Sequence, residues 1–157
     1  MSLSHAPMTA PSTTRAMAMA RLMDGVRADL ASYEELQRLL EAQFDAALQH
    51  RSVQLAELAD RITALVDALD HQRRERMALV ARVLGADEPP TMAGVLALLN
   101  PAARQTLAGW WRTLEARVRE SKALNARNAR LMADQRDIMQ RVMGRGLEHE
   151  MGTYGPA

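Results

Sequence analysis

One stretch of this sequence, from Asn100 to Gly144, predicts a single long helix. Asn100 offers a side-chain oxygen to the free N–H groups of a first helical turn, and Pro101 suits the first helical position because its missing N–H has no partner there. Gly144 predicts the other end, since glycine readily adopts the left-handed conformation that closes many helices. At 1.5 Å per residue the helix would be about 65 Å long, which points to a slender helical protein.

The apolar face of this helix changes along its length. In the first half apolar residues recur every three or four positions, which is typical of an amphipathic helix packed on a partner. They are Leu107, Trp111, Leu114 and Val118. In the second half the face is wide, half-polar and rich in methionine, through Leu124, Asn125, Asn128, Leu131, Met132, Ile138, Met139 and Val142. Two interpretations of this second half stay open: an internal core stripe and an external docking surface.

The composition excludes several classes of protein. The 157 residues suit one domain, and the absence of cysteine excludes disulfides, thiolate metal sites and a cysteine nucleophile. The net charge of +1 gives no overall attraction to nucleic acid or to a membrane surface. No apolar run reaches the roughly 20 residues of a membrane span, and Met17 to Ala20 is too short for a secretory signal. We therefore expect a cytoplasmic protein that is not inserted in a membrane.

The chain divides into three predicted parts. Residues 1–28 form an N-terminal tail with a possible short helix from Arg15, residues 29–144 form a helical domain, and residues 145–157 form a flexible C-terminal tail. The first long helix of the domain begins either at the capping box of Ser32 and Glu35 or upstream at Val26, and the sequence leaves both starts open.

This first long helix is predicted to continue without a break to Gly85. Its apolar residues keep a three-four spacing from Phe44 to Leu69, and Arg51 is the one polar interruption. After Gly85, Thr91 opens a short apolar segment, Met92 to Leu99, which is expected to pack between the two long helices.

The predicted fold is all-α: a long antiparallel helical hairpin with a short third helix near the bend and flexible termini. Two long helices joined by a short connection share their apolar stripes when they run antiparallel. Charge favours the pairing, because the first long helix is rich in Asp and Glu and the last is rich in Arg.

No group of residues predicts catalysis, a cofactor or a metal site. The four histidines lack the spacing of metal ligands, and no serine, histidine and aspartate stand in a recognisable nucleophile motif. We therefore expect no enzyme. The pattern is compatible with a coiled-coil scaffold or adaptor. A basic-helix nucleic-acid binder has less support, since Arg73, Arg74 and Arg76 lack interleaved aromatic residues for base stacking.

The order of elements resembles the FlgN-type flagellar export chaperones. The likeness lies in a long first helix, a short middle segment, Trp110-Trp111 at the start of the last helix, and the run Leu124-Asn125-Ala126-Arg127-Asn128-Ala129-Arg130-Leu131. It covers roughly residues 32–144. The C-terminal Thr153-Tyr154-Gly155-Pro156 also resembles the short Tyr-Gly tail of such chaperones, whereas the N-terminal extension to about Ala28 departs from their usual length.

The resemblance implies a cytoplasmic chaperone without catalytic activity. Its clients would be the hook-filament junction (hook-associated) proteins, bound through C-terminal ends that become helical, and its other partner would be the flagellar export apparatus. The apolar residues of the second half would then anchor the client, Asn125 and Asn128 would fix its register, and Tyr154 would dock to the export gate. A homo-oligomer is possible.

Overall fold

The computed structural model describes the backbone of residues 9–153 and the side chains of residues 14–145. It contains four helices: α1 (Thr9–Leu48), α2 (Ser52–Leu84), α3 (Met92–Ala97) and α4 (Pro101–Thr153). The all-α class predicted from the sequence is confirmed. None of the described helices is long and apolar enough to span a membrane.

The N-terminal part of α1 differs from the prediction. The helix begins at Thr9 and passes through Gly25 and Ser32 without a break, so neither predicted start is correct and α1 crosses the boundary placed at residue 28. Ser32 lies inside the helix, where no free N–H group needs a cap. The added segment belongs to the core, because Ala18, Leu22 and Val26 are buried against α2, α3 and α4.

A turn at residues 49–51 divides the predicted continuous helix into α1 and α2, and the prediction of one helix to Gly85 was wrong here. His50 adopts a positive φ of 55°, and Arg51 donates its backbone N–H to the Ala46 carbonyl at 3.0 Å. The chain reverses, so that Leu40 packs with Leu69 near mid-helix while Val26 packs with Val80 further on. The helices α1 and α2 therefore run antiparallel.

The predicted helix ends around α3 are confirmed. Gly85 follows the last residue of α2 with a φ of 86°, and its N–H donates to the Ala81 carbonyl. The Thr91 hydroxyl accepts from the Gly94 N–H at 3.2 Å, and Asn100 Oδ1 accepts from the Ala103 N–H at 2.9 Å. These caps position the short α3 against both α2 and α4.

The helix α4 packs along α1 in the same direction. Arg117 contacts Glu34, Arg127 contacts Glu41, and Gln135 contacts Ala47, so residue numbers rise together on the two helices. The predicted antiparallel pairing of the first and last helices is therefore corrected: α4 is antiparallel to α2 and parallel to α1. The central helix is α1, with α2 and α4 on either side of it.

The helix α4 also extends further than predicted. It passes Gly144, where an added Cβ would meet nothing within 4 Å, and ends at Thr153. The boundary at 144 between a domain and a flexible tail is thus crossed by helical backbone.

Candidate protein-binding face

The C-terminal part of α4 extends beyond the helices that support the rest of it. The last described hydrogen bond between α4 and α1 runs from Gln135 Nε2 to the Ala47 carbonyl, at 2.9 Å. Ala47 is one residue before the end of α1. Residues 136–153 continue as helix for about 27 Å. We call residues 136–153 distal α4.

Distal α4 exposes an apolar row on the face that continues the α1-packing side. Ile138, Met139, Val142 and Met143 are 59–62% exposed. Two helical turns earlier, Leu131 and Met132 are half-buried near the end of α1. Residues 131, 138 and 142 recur at seven and four positions, so they share one side of the helix. A contiguous exposed apolar face of this kind is a candidate site of interaction.

The other predicted client-binding residues lie where α4 still contacts α1. Asn128 is 1% exposed, and its amide nitrogen donates to the Leu40 carbonyl at 2.7 Å and to Gln43 Oε1 at 2.9 Å. Leu124 packs on the cluster of Leu36, Leu40 and Leu69. Asn125 is exposed and lines a groove between α2 and α4. The structure thus brings Leu124 and Asn128 into the α1–α4 contact and leaves Ile138, Met139 and Val142 free of it.

Ion pairs hold α4 against α1 up to this point. Arg117 pairs with Glu34 at 3.0 Å, and Arg127 pairs with Glu41 at 3.3 Å while its guanidinium lies 3.8 Å from the Phe44 ring centroid. The predicted complementarity of acidic and Arg-rich helices is confirmed at these pairs. Each exposed pair contributes little stability, under about 1 kcal/mol, so their main effect is to fix the register of the two helices.

A buried polar cluster joins all three long helices at the other end of the molecule. Asp29 of α1 is 2% exposed and pairs with Arg76 of α2 at 2.5 Å, and the Arg76 guanidinium lies 5.2 Å from the Trp111 ring centroid of α4. Burial raises the pKa of Asp29 despite the nearby Arg76 charge. Burial likewise raises the pKa of Tyr33.

This cluster was not predicted from the sequence. The sequence shows Arg76 only as the end of the polar run of residues 70–76. This run lies beside Asp29 because the chain reverses at residues 49–51, and that turn was not predicted. Within the described part of the chain, no group of His, Asp and Glu residues is arranged to hold a metal ion. Tyr154, predicted to dock to the export gate, lies outside the described residues.

These features define an all-α protein whose last helix presents an unsupported apolar face. The family model described as FlgN protein matches residues 17–157, and the chain therefore belongs to the FlgN family. The FlgN family is a family of flagellar export chaperones and is not known for enzymatic activity. No curated protein and no solved structure matches the chain significantly.

The family match also corrects one expectation about the N-terminus. It begins at residue 17, so residues 17–28, expected to be an extension outside the family pattern, are part of the matched region. This agrees with the burial of Ala18, Leu22 and Val26 in the core.

Proposed function

We propose that this chain is a cytoplasmic chaperone of flagellar type III protein export. It binds the C-terminal helical ends of hook-associated junction proteins and delivers them to the export gate. The observation that carries the proposal is the exposed apolar row of distal α4, joined to membership of the FlgN family. A segment that folds on binding needs such a preformed apolar surface to offset the entropy lost on ordering.

The residues of α4 divide into two roles in this proposal. Ile138, Met139 and Val142 contact the client directly, with Leu131 and Met132 at the border of the supported part. Methionine side chains are flexible and polarisable, so they adapt to more than one apolar partner. Leu124 and Asn128 hold α4 on α1 and thereby orient the client-binding face, and exposed Asn125 contacts the client through its amide.

The arrangement of arginines favours a protein partner over nucleic acid. Arg117 and Arg127 of α4 are paired with Glu34 and Glu41, and Arg73 and Arg74 are paired with Asp70. Paired guanidinium groups have less charge available for phosphates. A nucleic-acid binder would also show an affinity that falls steeply with salt.

The test compares two double substitutions on opposite faces of distal α4. The probe is a synthetic peptide, called here the junction peptide, that carries the last roughly 30 residues of a hook-filament junction protein from the same bacterium, a length of about 45 Å when helical. Ile138→Asp with Val142→Asp should reduce its affinity by at least about tenfold, because two apolar anchors are lost. Ala133→Asp with Gln140→Asp, on the polar face, should leave the affinity within about twofold.

Circular dichroism separates binding from folding in this test. Both variants should keep the helical content and unfolding midpoint of the wild-type chain, because the substituted residues are exposed. Unchanged peptide affinity in the Ile138→Asp, Val142→Asp variant would contradict the proposal and favour a scaffold without a client.

For Tyr154 we propose docking to the export gate. An aromatic ring can anchor in a partner's pocket with little loss of side-chain entropy. Tyr154→Ala should leave the melting temperature and junction-peptide affinity unchanged while client secretion decreases. Normal secretion by this variant would show that Tyr154 is not required for delivery.

A further inference from the structure

A shallow groove runs between α2 and α4, with α1 as its floor. Within the described residues, the backbones of α2 and α4 do not approach each other, since each packs on a different side of α1. Two adjoining cavities, of about 190 Å³ and 270 Å³, share Tyr33 and Val118 and together form the groove. Its apolar lining also includes Leu36, Ile62 and Val66. We call it the α2–α4 groove.

One end of the α2–α4 groove is closed and the other is open. At the closed end Arg76 reaches from α2 over the Trp111 ring of α4. At the open end the α4 wall leads onto distal α4, because Val118, Asn125, Met132 and Met139 follow each other at intervals of seven residues. Residues seven apart lie on one side of a helix, so the groove continues into the candidate client-binding face.

The groove contains an exposed apolar side chain and a buried hydroxyl group without a hydrogen-bond partner among the described residues. Val66 of α2 is 45% exposed in its wall. Ser121 of α4 is buried, and its hydroxyl oxygen has no hydrogen-bond partner among the described residues. The exposed valine is therefore the group that an apolar side chain of a partner would cover.

The charges along the α4 wall are mostly positive. Arg119 lines the closed end together with Arg76, and Lys122 lines the middle. Asp29 already neutralises Arg76, and Glu115 is the acidic residue exposed in the lining. Arg119 and Glu115 balance each other at the closed end, whereas the lining around Lys122 contains no acidic residue. The middle of the groove therefore suits a partner helix with acidic residues on its flank.

We infer that the α2–α4 groove binds an amphipathic helix of the client, as the fourth helix of a bundle. The helix lies along the groove between distal α4 and the closed end. Its apolar stripe faces Leu36, Ile62 and Val118, and acidic residues on its flank face Lys122. This inference rests on the proposed function and extends the client contact from distal α4 to α2.

A pair of substitutions on α2 tests whether the groove is occupied. Val66→Arg places a long charged side chain in the groove wall, whereas Ala64→Arg places it on the exposed opposite side of the same helix. Val66→Arg should weaken junction-peptide binding about tenfold, and Ala64→Arg should not. If Val66→Arg binds normally while Ile138→Asp with Val142→Asp does not, the groove inference fails and the proposed function stands.

Spin labels test whether the bound helix lies along the groove. The chain has no cysteine, so one introduced cysteine carries one nitroxide. A label at Glu115→Cys, at the closed end, should broaden the NMR signals of one end of the bound junction peptide, and a label at Arg136→Cys, beyond the open end, should broaden those of its other end. A peptide broadened by the Arg136→Cys label but not by the Glu115→Cys label would overturn the inference.

A second copy of this chain in the groove would also overturn the inference. Sedimentation of the free wild-type chain would then show a dimer that Val66→Arg dissociates. We expect a sedimentation coefficient that is the same for the wild-type chain and for this variant.

Discussion

Asn128 connects α4 to α1 through two buried hydrogen bonds. Its buried amide donates to the Leu40 carbonyl and to Gln43, and its Oδ1 accepts from Arg127 at 3.2 Å. A polar group in an apolar contact favours the one register in which its hydrogen bonds are made, as a buried asparagine does in coiled coils.

Asn128→Ala should therefore destabilise the protein, whereas Asn125→Ala should not. The first substitution leaves buried Gln43 Oε1 without its donor and removes a second hydrogen bond to the Leu40 carbonyl, at a cost of about 1–3 kcal/mol. The second alters an exposed residue of the same type, with an effect within about 0.5 kcal/mol. Urea unfolding followed by circular dichroism measures both, and equal unfolding free energies would contradict the role given to Asn128.

Asp29 gives the stability a defined dependence on pH. Its pKa in the folded chain is raised above the ordinary value of 3.8, chiefly by burial, and its Oδ1 has no hydrogen-bond partner among the described side chains and backbone. The folded state therefore binds more protons than the unfolded state above pH 3.8. Protonation of Asp29 therefore stabilises the folded state. This stabilisation is fully present below pH 3.8 and is lost as the pH rises through the folded-state pKa.

Asp29→Asn tests this sign, because asparagine is uncharged at every pH. The stability of the variant relative to the wild-type chain should increase as the pH rises from about 4 to 7. Thermal melts of the two chains across this range give the difference. A relative stability that falls with rising pH would show that Arg76 lowers the Asp29 pKa more than burial raises it.

At the scale of the helices, caps were predictable from the sequence and a turn without glycine or proline was not. Thr91 and Asn100 signal helix starts through side-chain chemistry, and the structure confirms both. The turn at His50 contains neither glycine nor proline, and Leu48 and Leu55 stand seven residues apart across it. The apolar period therefore continues through a chain reversal, and for that reason the pattern predicts one helix where the structure has two.

Gly144 predicts a helix end that α4 does not have. Glycine inside a helix costs only about 1 kcal/mol relative to alanine, so it need not end one. Gly85 differs because its φ of 86° is unfavourable for any residue with a Cβ atom. Only the backbone conformation distinguishes the two glycines, and the sequence does not report it.

Two alanine substitutions should show this contrast between glycines. Gly85→Ala should destabilise the chain by about 1–3 kcal/mol, because a φ of 86° with a ψ of 171° is a conformation essentially restricted to glycine. Gly109→Ala, within α4 and with open space around the added Cβ, should stabilise it by about 0.5–1 kcal/mol. The midpoints of chemical unfolding measure both changes in stability. A stabilising Gly85→Ala would contradict the assigned helix end.

At the scale of the whole molecule, α1 is the central helix although the clearest helix signals in the sequence belong to α4. The apolar spacing in α4 left open whether its second half is core or surface, and the structure exposes Ile138, Met139 and Val142. It did not predict the burial of Asn128, since that depends on α1 running parallel to α4. The α2–α4 groove was likewise not predictable, because it exists only once α1 and α2 are separate helices.

The central claim is that the client binds distal α4, and amide hydrogen exchange with and without the junction peptide tests it most directly. In the free chain residues 136–153 have no described partner helix, so we expect their amides to exchange faster than those of supported α4. Saturating peptide should slow exchange throughout 136–153, and Ile138→Asp with Val142→Asp should abolish that protection. Protection that appears only elsewhere, with 136–153 unchanged, would contradict the account.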